Sequence, residues 1–149
     1  MKILGIDPGA RKIGLAISDE TGLVARPLIV LTHRSRAEDA QAVARVAAAE
    51  GAGRIVVGSP LEADGAEGPR ARRVRRWAGA LDEACGLPVE FWDESFSTAS
   101  ANALLEETGR GWDGRRRSTR NPEDAIAAAF ILQSYLDAHR TPPERQADA

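Results

Sequence analysis

The order of apolar segments predicts an α/β fold, a mixed sheet with helices packed against both faces. Three observations carry that expectation. The first three apolar segments are short and separated by turn residues, which leaves no room for crossover helices and makes them an antiparallel meander. The later segments alternate strand and helix, the pattern of parallel strands joined by right-handed crossovers. The final helical segment, Ala125 to Leu136, is apolar almost throughout and must therefore be covered on most sides.

Taken in order, residues 2 to 6 (Lys-Ile-Leu-Gly-Ile) read as a buried strand closed by Asp7-Pro8-Gly9, where proline and glycine favour a turn. Residues 12 to 18 are a second strand. Thr21-Gly22 turns the chain into a third, Leu23 to Leu31, whose Pro27 suits a sheet edge. Ser35 with Glu38 forms a capping box that opens a helix through about Glu50; Val43, Val46 and Ala47 share one face, and Gly51 lies beyond its end. Ile55 to Val57 is a short buried strand. Gly68-Pro69 starts the next helix, in which Val74, Trp77, Ala78, Leu81 and Cys85 form the core stripe before Gly86 stops it. Val89 to Trp92 is the last strand, followed directly by Asp93-Glu94. A helix near Thr98 to Thr108 is expected, then an aperiodic loop from Gly109 to Arg120, then Asn121-Pro122 as cap and first-turn proline of the final helix. The reading is one domain over residues 1 to 140, with a polar, frayed tail over residues 141 to 149.

Composition bounds the function. A chain of 149 residues, 43% hydrophobic and 28% charged, is neither disordered nor fibrous; at this length roughly 68–70% of the unfolded surface is buried. The apolar runs fall well short of the ~20 residues that span a bilayer, so no membrane partner is expected. The N-terminal segment does not read as a signal peptide. Cys85 is the single cysteine, which excludes an intramolecular disulfide and a multi-cysteine metal site and fits a cytoplasmic location.

The formal net charge of −2 hides a segregation. Arg70 to Trp77 holds five arginines and no acid, a local +5; Arg110 to Arg120 holds five against Asp113 alone, a local +4. The remaining chain carries ten bases against 21 acids, or −11. Such basic blocks either form a solvated face or attract a polyanion whatever the distant total. With Val74, Trp77 and Leu81 turned to the core, Arg72 and Arg76 face away from it while Arg73 and Arg75 flank it.

Three acids sit where elements end. Asp7 closes the first strand, Glu94 follows the last, and Asp124 lies in the first turn of the final helix. Ligands of open α/β sheets bind outside the carboxyl ends of strands, which is where the first two point. Turn chemistry at Asp7 and the helix dipole at Asp124 offer simpler accounts of each acid taken singly.

The segments Ile3-Leu-Gly-Ile-Asp7-Pro-Gly with Ile13-Gly-Leu-Ala16, Val56-Val-Gly-Ser-Pro60 with Asp64-Gly65 and Glu67-Gly-Pro69, Gly86-Leu-Pro-Val89 with Asp93-Glu94, and Asp124-Ala-Ile-Ala-Ala128 with Ile131-Leu-Gln-Ser-Tyr-Leu136 together resemble the YqgF/RuvX family. These RNase H-like bacterial proteins are described as candidate Holliday junction resolvases and candidate pre-16S rRNA nucleases. The resemblance spans residues 2 to 137 and implies a sheet of order 3-2-1-4-5 with a carboxylate cluster that holds divalent metal. Carried over residue by residue, it gives Asp7, Glu94 and Asp124 as catalytic metal ligands. Asp93, Asp64 and Glu62 stand as alternatives for the second acid. The chain departs from the family pattern at Ser95, where arginine is usual, and at Asn121-Pro-Glu123, which bears on substrate preference.

Clustered carboxylates favour this chemistry, because two unit charges about 4 Å apart repel by roughly 4 kcal/mol at an effective dielectric of 20. All-oxygen ligation selects Mg²⁺ or Mn²⁺. The implied activity is two-metal hydrolysis of a phosphodiester, leaving 5′-phosphate and 3′-hydroxyl, on branched DNA or precursor rRNA. Arg72, Arg73, Arg76, Arg115, Arg116, Arg117 and Arg120 are the expected backbone contacts, and Gly9 and Gly14 would let the chain approach a phosphate. Trp112 offers a stacking face for an unpaired base. His33 and His139 lie outside every matched motif and read as structural. A resolvase would act as a homodimer, since a four-way junction has two symmetric scissile strands. The rival expectation is a non-catalytic nucleic-acid-binding or ribosome-associated module of the same fold.

Overall fold

Two tight turns fold the first strands onto one another. The computed structural model describes residues 1–60, 67–93 and 122–139. In it β1 (Lys2–Pro8) pairs antiparallel with β2 (Lys12–Ser18), and β2 antiparallel with β3 (Ala25–Thr32). The amide of Gly9 donates to the Lys12 carbonyl at 2.9 Å to close the first hairpin. Asp19 organises the second turn: the Thr21 hydroxyl and the Val24 and Leu23 amides hold its carboxyl at about 2. Helix α1 (Arg36–Glu50) then returns the chain to β4 (Ala52–Ser59), parallel to β1, and α2 (Pro69–Cys85) leads to β5 (Val89–Asp93), parallel to β4. The last described element is α3 (Pro122–Ala138).

The sheet order is β3-β2-β1-β4-β5, the expected mixed sheet with β1 at its centre. Strand β1 runs two residues further than turn chemistry suggested, because Asp7 pairs with Gly14 and Pro8 with Ile13 before the turn begins. Strand β4 is also longer, since it is hydrogen-bonded along both edges. The expected helix at 98–108, the loop at 109–120, Asn121 and the tail at 141–149 lie outside the described residues. No described helix is long and apolar enough to cross a membrane.

Alternation along the strands makes two cores. Leu4, Ile6, Ile13, Leu15, Ile17, Ile55 and Val57 face α1 and α2 and pack on Val43, Val74, Trp77 and Leu81. Ala16 and Val56 face the other way, beneath Ala128, Leu132, Tyr135 and Leu136 of α3. Gly5 belongs to this second face, where a Cβ would stand 2.8 Å from that of Leu132. Gln133 fastens α3 to the edge strand, accepting from the Ala25 amide at 2.8 Å and donating to the Leu23 carbonyl at 2.9 Å.

Local signals set the helix ends. The Glu38 amide donates to the Ser35 hydroxyl at 3.1 Å, as the capping box requires, and Gly51 ends α1 at φ 72°. Pro69 opens α2 in its first turn, and Gly86 closes it at φ 66°. One acid in α1 does more than complement the helix dipole. Asp39, 3% exposed, accepts from the Trp77 indole at 2.9 Å, from the Arg34 amide at 2.9 Å and from His33 Nδ1. It therefore joins α1, α2 and the segment leaving β3. Burial pushes its carboxyl upward, but the bonds from Trp77, Arg34 and His33 outweigh burial and hold it below the ordinary carboxylate range.

Replacing Asp39 with alanine strands buried donors, and Asp39→Ala should cost roughly 2–4 kcal/mol in denaturant melts at pH 7. A depressed carboxyl contributes stability above its unfolded value of about 3.9, and loses it as pH falls through the folded one. The gap between wild type and variant should therefore narrow in melts below about pH 4.

Candidate active site

Asp7 occupies an odd position of β1, on the face that α3 covers, at the carboxyl end of the central strand. Its ladder partner is Gly14. A methyl group on Gly14 would overlap the backbone carbonyl of Asp124, so the first turn of α3 lies directly against β2 at the residue opposite Asp7. The glycine thus has a role apart from the expected approach to phosphate: it admits the helix backbone that carries the second acid. Gly9 meets the Lys12 carbonyl in the same way, as the hairpin demands.

Two of the three expected carboxylates are thereby gathered on one face. Burial pushes the Asp124 carboxyl above its ordinary range and the neighbouring Glu123 adds to the rise, while Lys12 opposes both. Lys12, two residues from Gly14 on the same face of β2, was not singled out from the sequence. Glu94, with the alternatives Asp64 and Glu62, lies outside the described residues. Asp93 does not share the face of Asp7: it pairs with Ser59 and alternates in phase with Phe91, which packs on the α1/α2 side. Among the described residues no three His, Cys, Asp or Glu side chains converge on one point. The described face presents Asp7 at the strand end and, in the helix turn laid against its ladder partner, Asp124, raised by burial and by a like charge.

The opposite face, at the same end of the sheet, is basic. A cavity of about 500 Å³ opens between the β1–β2 turn, the start of α1 and the first half of α2. Pro8, Gly9, Ala10, Val74 and Trp77 line it together with His33, Arg36, Arg70, Arg73 and Arg76. The arginine stripe of α2 consequently divides. Arg70, Arg73 and Arg76, spaced by three, turn into the cavity, whereas Arg72 donates to the Glu67 carbonyl at 3.2 Å and Arg75 pairs with the Glu67 carboxylate, its guanidinium 4.7 Å above the Phe91 ring. Arg76 was expected to face away from the core and Arg73 to flank it; both reach the cavity because α1 packs along that side of α2. Arg36 and His33 were missed as lining residues, since neither lies in a basic block. His33 keeps the structural role expected of it through Asp39, and His139 stacks on Tyr135 with ring centroids 4.0 Å apart. Arg115, Arg116, Arg117, Arg120 and Trp112 lie outside the described residues.

A five-stranded mixed sheet of this order, with an acid at the end of its central strand and a second acid brought beside it by the last helix, is an RNase H-like domain. Solved structures agree on the fold: 93% of the chain matches 95% of T. thermophilus RuvC, determined in complex with a Holliday junction substrate, at a TM-score of 0.58 and 22% identity. The fowlpox virus resolvase, determined with Holliday junction DNA, matches over 95% of this chain and 100% of its own at 0.60 and 14% identity.

Residues 1–138 match the family described as "RuvX: Holliday junction resolvase", and the chain belongs to that family. Relatives named as candidate pre-16S rRNA nucleases include those of Gluconobacter oxydans, 40% identical over 93% of this chain and 85% of its own, and Myxococcus xanthus, 42% over 95% and 91%. That of Anaeromyxobacter sp. strain Fw109-5 is 44% identical over 92% and 97%.

A carboxyl raised by folding favours the folded state at low pH and opposes it once pH rises through the folded value. Asp124→Asn should therefore raise the melting temperature of the metal-free protein at pH 7 by up to about 4 °C, the gain fading in scans below about pH 4. Gly14→Ala forces α3 off β2 and should lower stability by about 1–3 kcal/mol in the same scans.

Proposed function

We propose that the chain is a divalent-metal-dependent endonuclease that hydrolyses nucleic-acid phosphodiester bonds, processing the 5′ end of pre-16S rRNA, resolving Holliday junctions, or both. The observation that carries this reading is the close packing of α3 on Gly14, which brings Asp124 to the face and strand end that present Asp7. Membership of the RuvX family supplies the reaction class.

The donor chemistry suits a hard cation. Asp7, Asp124 and Glu94 would hold Mg²⁺ or Mn²⁺ through oxygen alone. Held by those carboxylates, such cations would supply Lewis-acid chemistry for hydrolysis of a phosphodiester to a 5′-phosphate and a 3′-hydroxyl. The chain's own groups do the rest. The rise of Asp124 marks a carboxylate whose charged form gains from an added cation. Lys12 offsets part of that charge from the β2 side. Arg72, Arg73 and Arg76, with Arg115, Arg116, Arg117 and Arg120, would hold the phosphate backbone through charge-assisted bonds, and the exposed Gly9 beside the cavity would let it come close. Acting on a symmetric junction requires a homodimer.

The test is cleavage of a four-way DNA junction and of a precursor rRNA fragment with Mg²⁺, with Mn²⁺ and with chelator. Cleavage should require the metal and vanish in Asp7→Asn and Asp124→Asn. Metal-independent cutting, or full activity in either variant, overturns the mechanism; binding without cutting under every condition identifies a non-catalytic module. If about six phosphates are neutralised, affinity should fall with salt at a log-log slope near −5.

A further inference from the structure

The basic cavity and the carboxylates share one strand end but not one face. Asp7 and Pro8 are consecutive in β1, so their side chains alternate: Asp7 projects toward α3, and Pro8 lines the cavity on the α1/α2 side. A strand lying across the Pro8-Gly9 edge would meet the carboxylates on one side and the cavity within one or two nucleotides on the other.

The cavity has two kinds of wall. Arg36, Arg73 and Arg76 supply positive charge from two helices, and among the described residues no carboxylate pairs with any of the three. Like charges held together in this way oppose folding unless an anion joins them. Pro8, Ala10, Val74 and Trp77 supply an apolar floor, with the Trp77 ring fixed by its bond to Asp39. The volume, about 500 Å³, is that of a small-molecule site. A recess of this volume is on the scale of one nucleotide unit rather than of a duplex.

We propose that this cavity seats one unpaired nucleotide of the substrate strand, its phosphate on Arg36, Arg73 and Arg76 and its base or sugar on the Val74 and Trp77 floor. The nuclease reading places the carboxylates at the neighbouring phosphate, and the inference rests on it for that placement. The cavity would thus direct cutting to positions where a strand has left its duplex, at branch points and at single-stranded junctions of folded RNA.

The experiment measures binding in chelator, by fluorescence anisotropy, of a blunt duplex and of the same duplex carrying a short single-stranded gap. Wild type should prefer the gapped duplex by about tenfold or more. Arg73→Gln with Arg76→Gln should remove that preference, and Arg36→Gln, on the other helix, should reduce it. Arg26→Gln with Arg45→Gln, an equal loss of charge on the far side of β3 and α1, should leave it within about twofold. Equal binding of both duplexes by wild type overturns the proposal. So does an equal weakening of both by the Arg73 and Arg76 changes, which would make those arginines a general charged surface. Because no cleavage is read, a protein that cuts without preferring the gap refutes the cavity and spares the nuclease reading, and the converse result does the opposite.

Discussion

Backbone pressed against backbone, with no side chain between, is the constraint on which the candidate site depends. The first turn of α3 can lie against β2 only because Gly14 has no Cβ. Gly5 makes the same concession one strand over, where Leu132 fills the space its side chain would occupy. Together they let an apolar helix sink onto the centre of the sheet, and its N-terminal acid is carried down with it. Buried Ala128 and Leu132 hold the helix there, so packing energy fixes the position of a polar group that gains nothing from it.

That group bears a cost, visible in the upward shift of Asp124 under burial and the neighbouring Glu123. Proteins store such unfavourable charge at functional sites, where a ligand relieves it. The two faces of the sheet end are complementary in this respect. One presents Asp7 and the first turn of α3 with Asp124; the other gathers guanidinium groups. The proposed substrate, a polyanion accompanied by divalent ions, would meet both.

Much of this was legible in the sequence. The capping box at Ser35, Gly51 and Gly86 as stops, and the alternation of the strands are local signals, and the element order followed from them, whereas the strand order 3-2-1-4-5 came from the family resemblance. Asp7 and Asp124 stood out because each lies at an element boundary. What escaped the sequence was created by packing between elements. Asp39 looks like any acid in a first helical turn until the Trp77 indole arrives from another helix. Arg36 stands outside both arginine blocks and joins the cavity only because α1 lies along α2. Gly14 read as a point of approach for a phosphate, since nothing near it in sequence announces a helix more than a hundred positions away. Lys12 was passed over for the same reason.

The alternation of Asp7 and Pro8 makes the spacing of β1 a matter of function as well as of stability. Pleated strands assign faces by counting, so one inserted or deleted residue ahead of Asp7 would send its carboxylate toward the arginines and turn its neighbour to α3. The arginines would then be neutralised from within, and the acids on the other face would lose their partner. A half-buried side chain such as Lys2 can be exchanged, but the length of the chain from Lys2 to Pro8 cannot drift. In this strand, tolerance to substitution and tolerance to insertion part company.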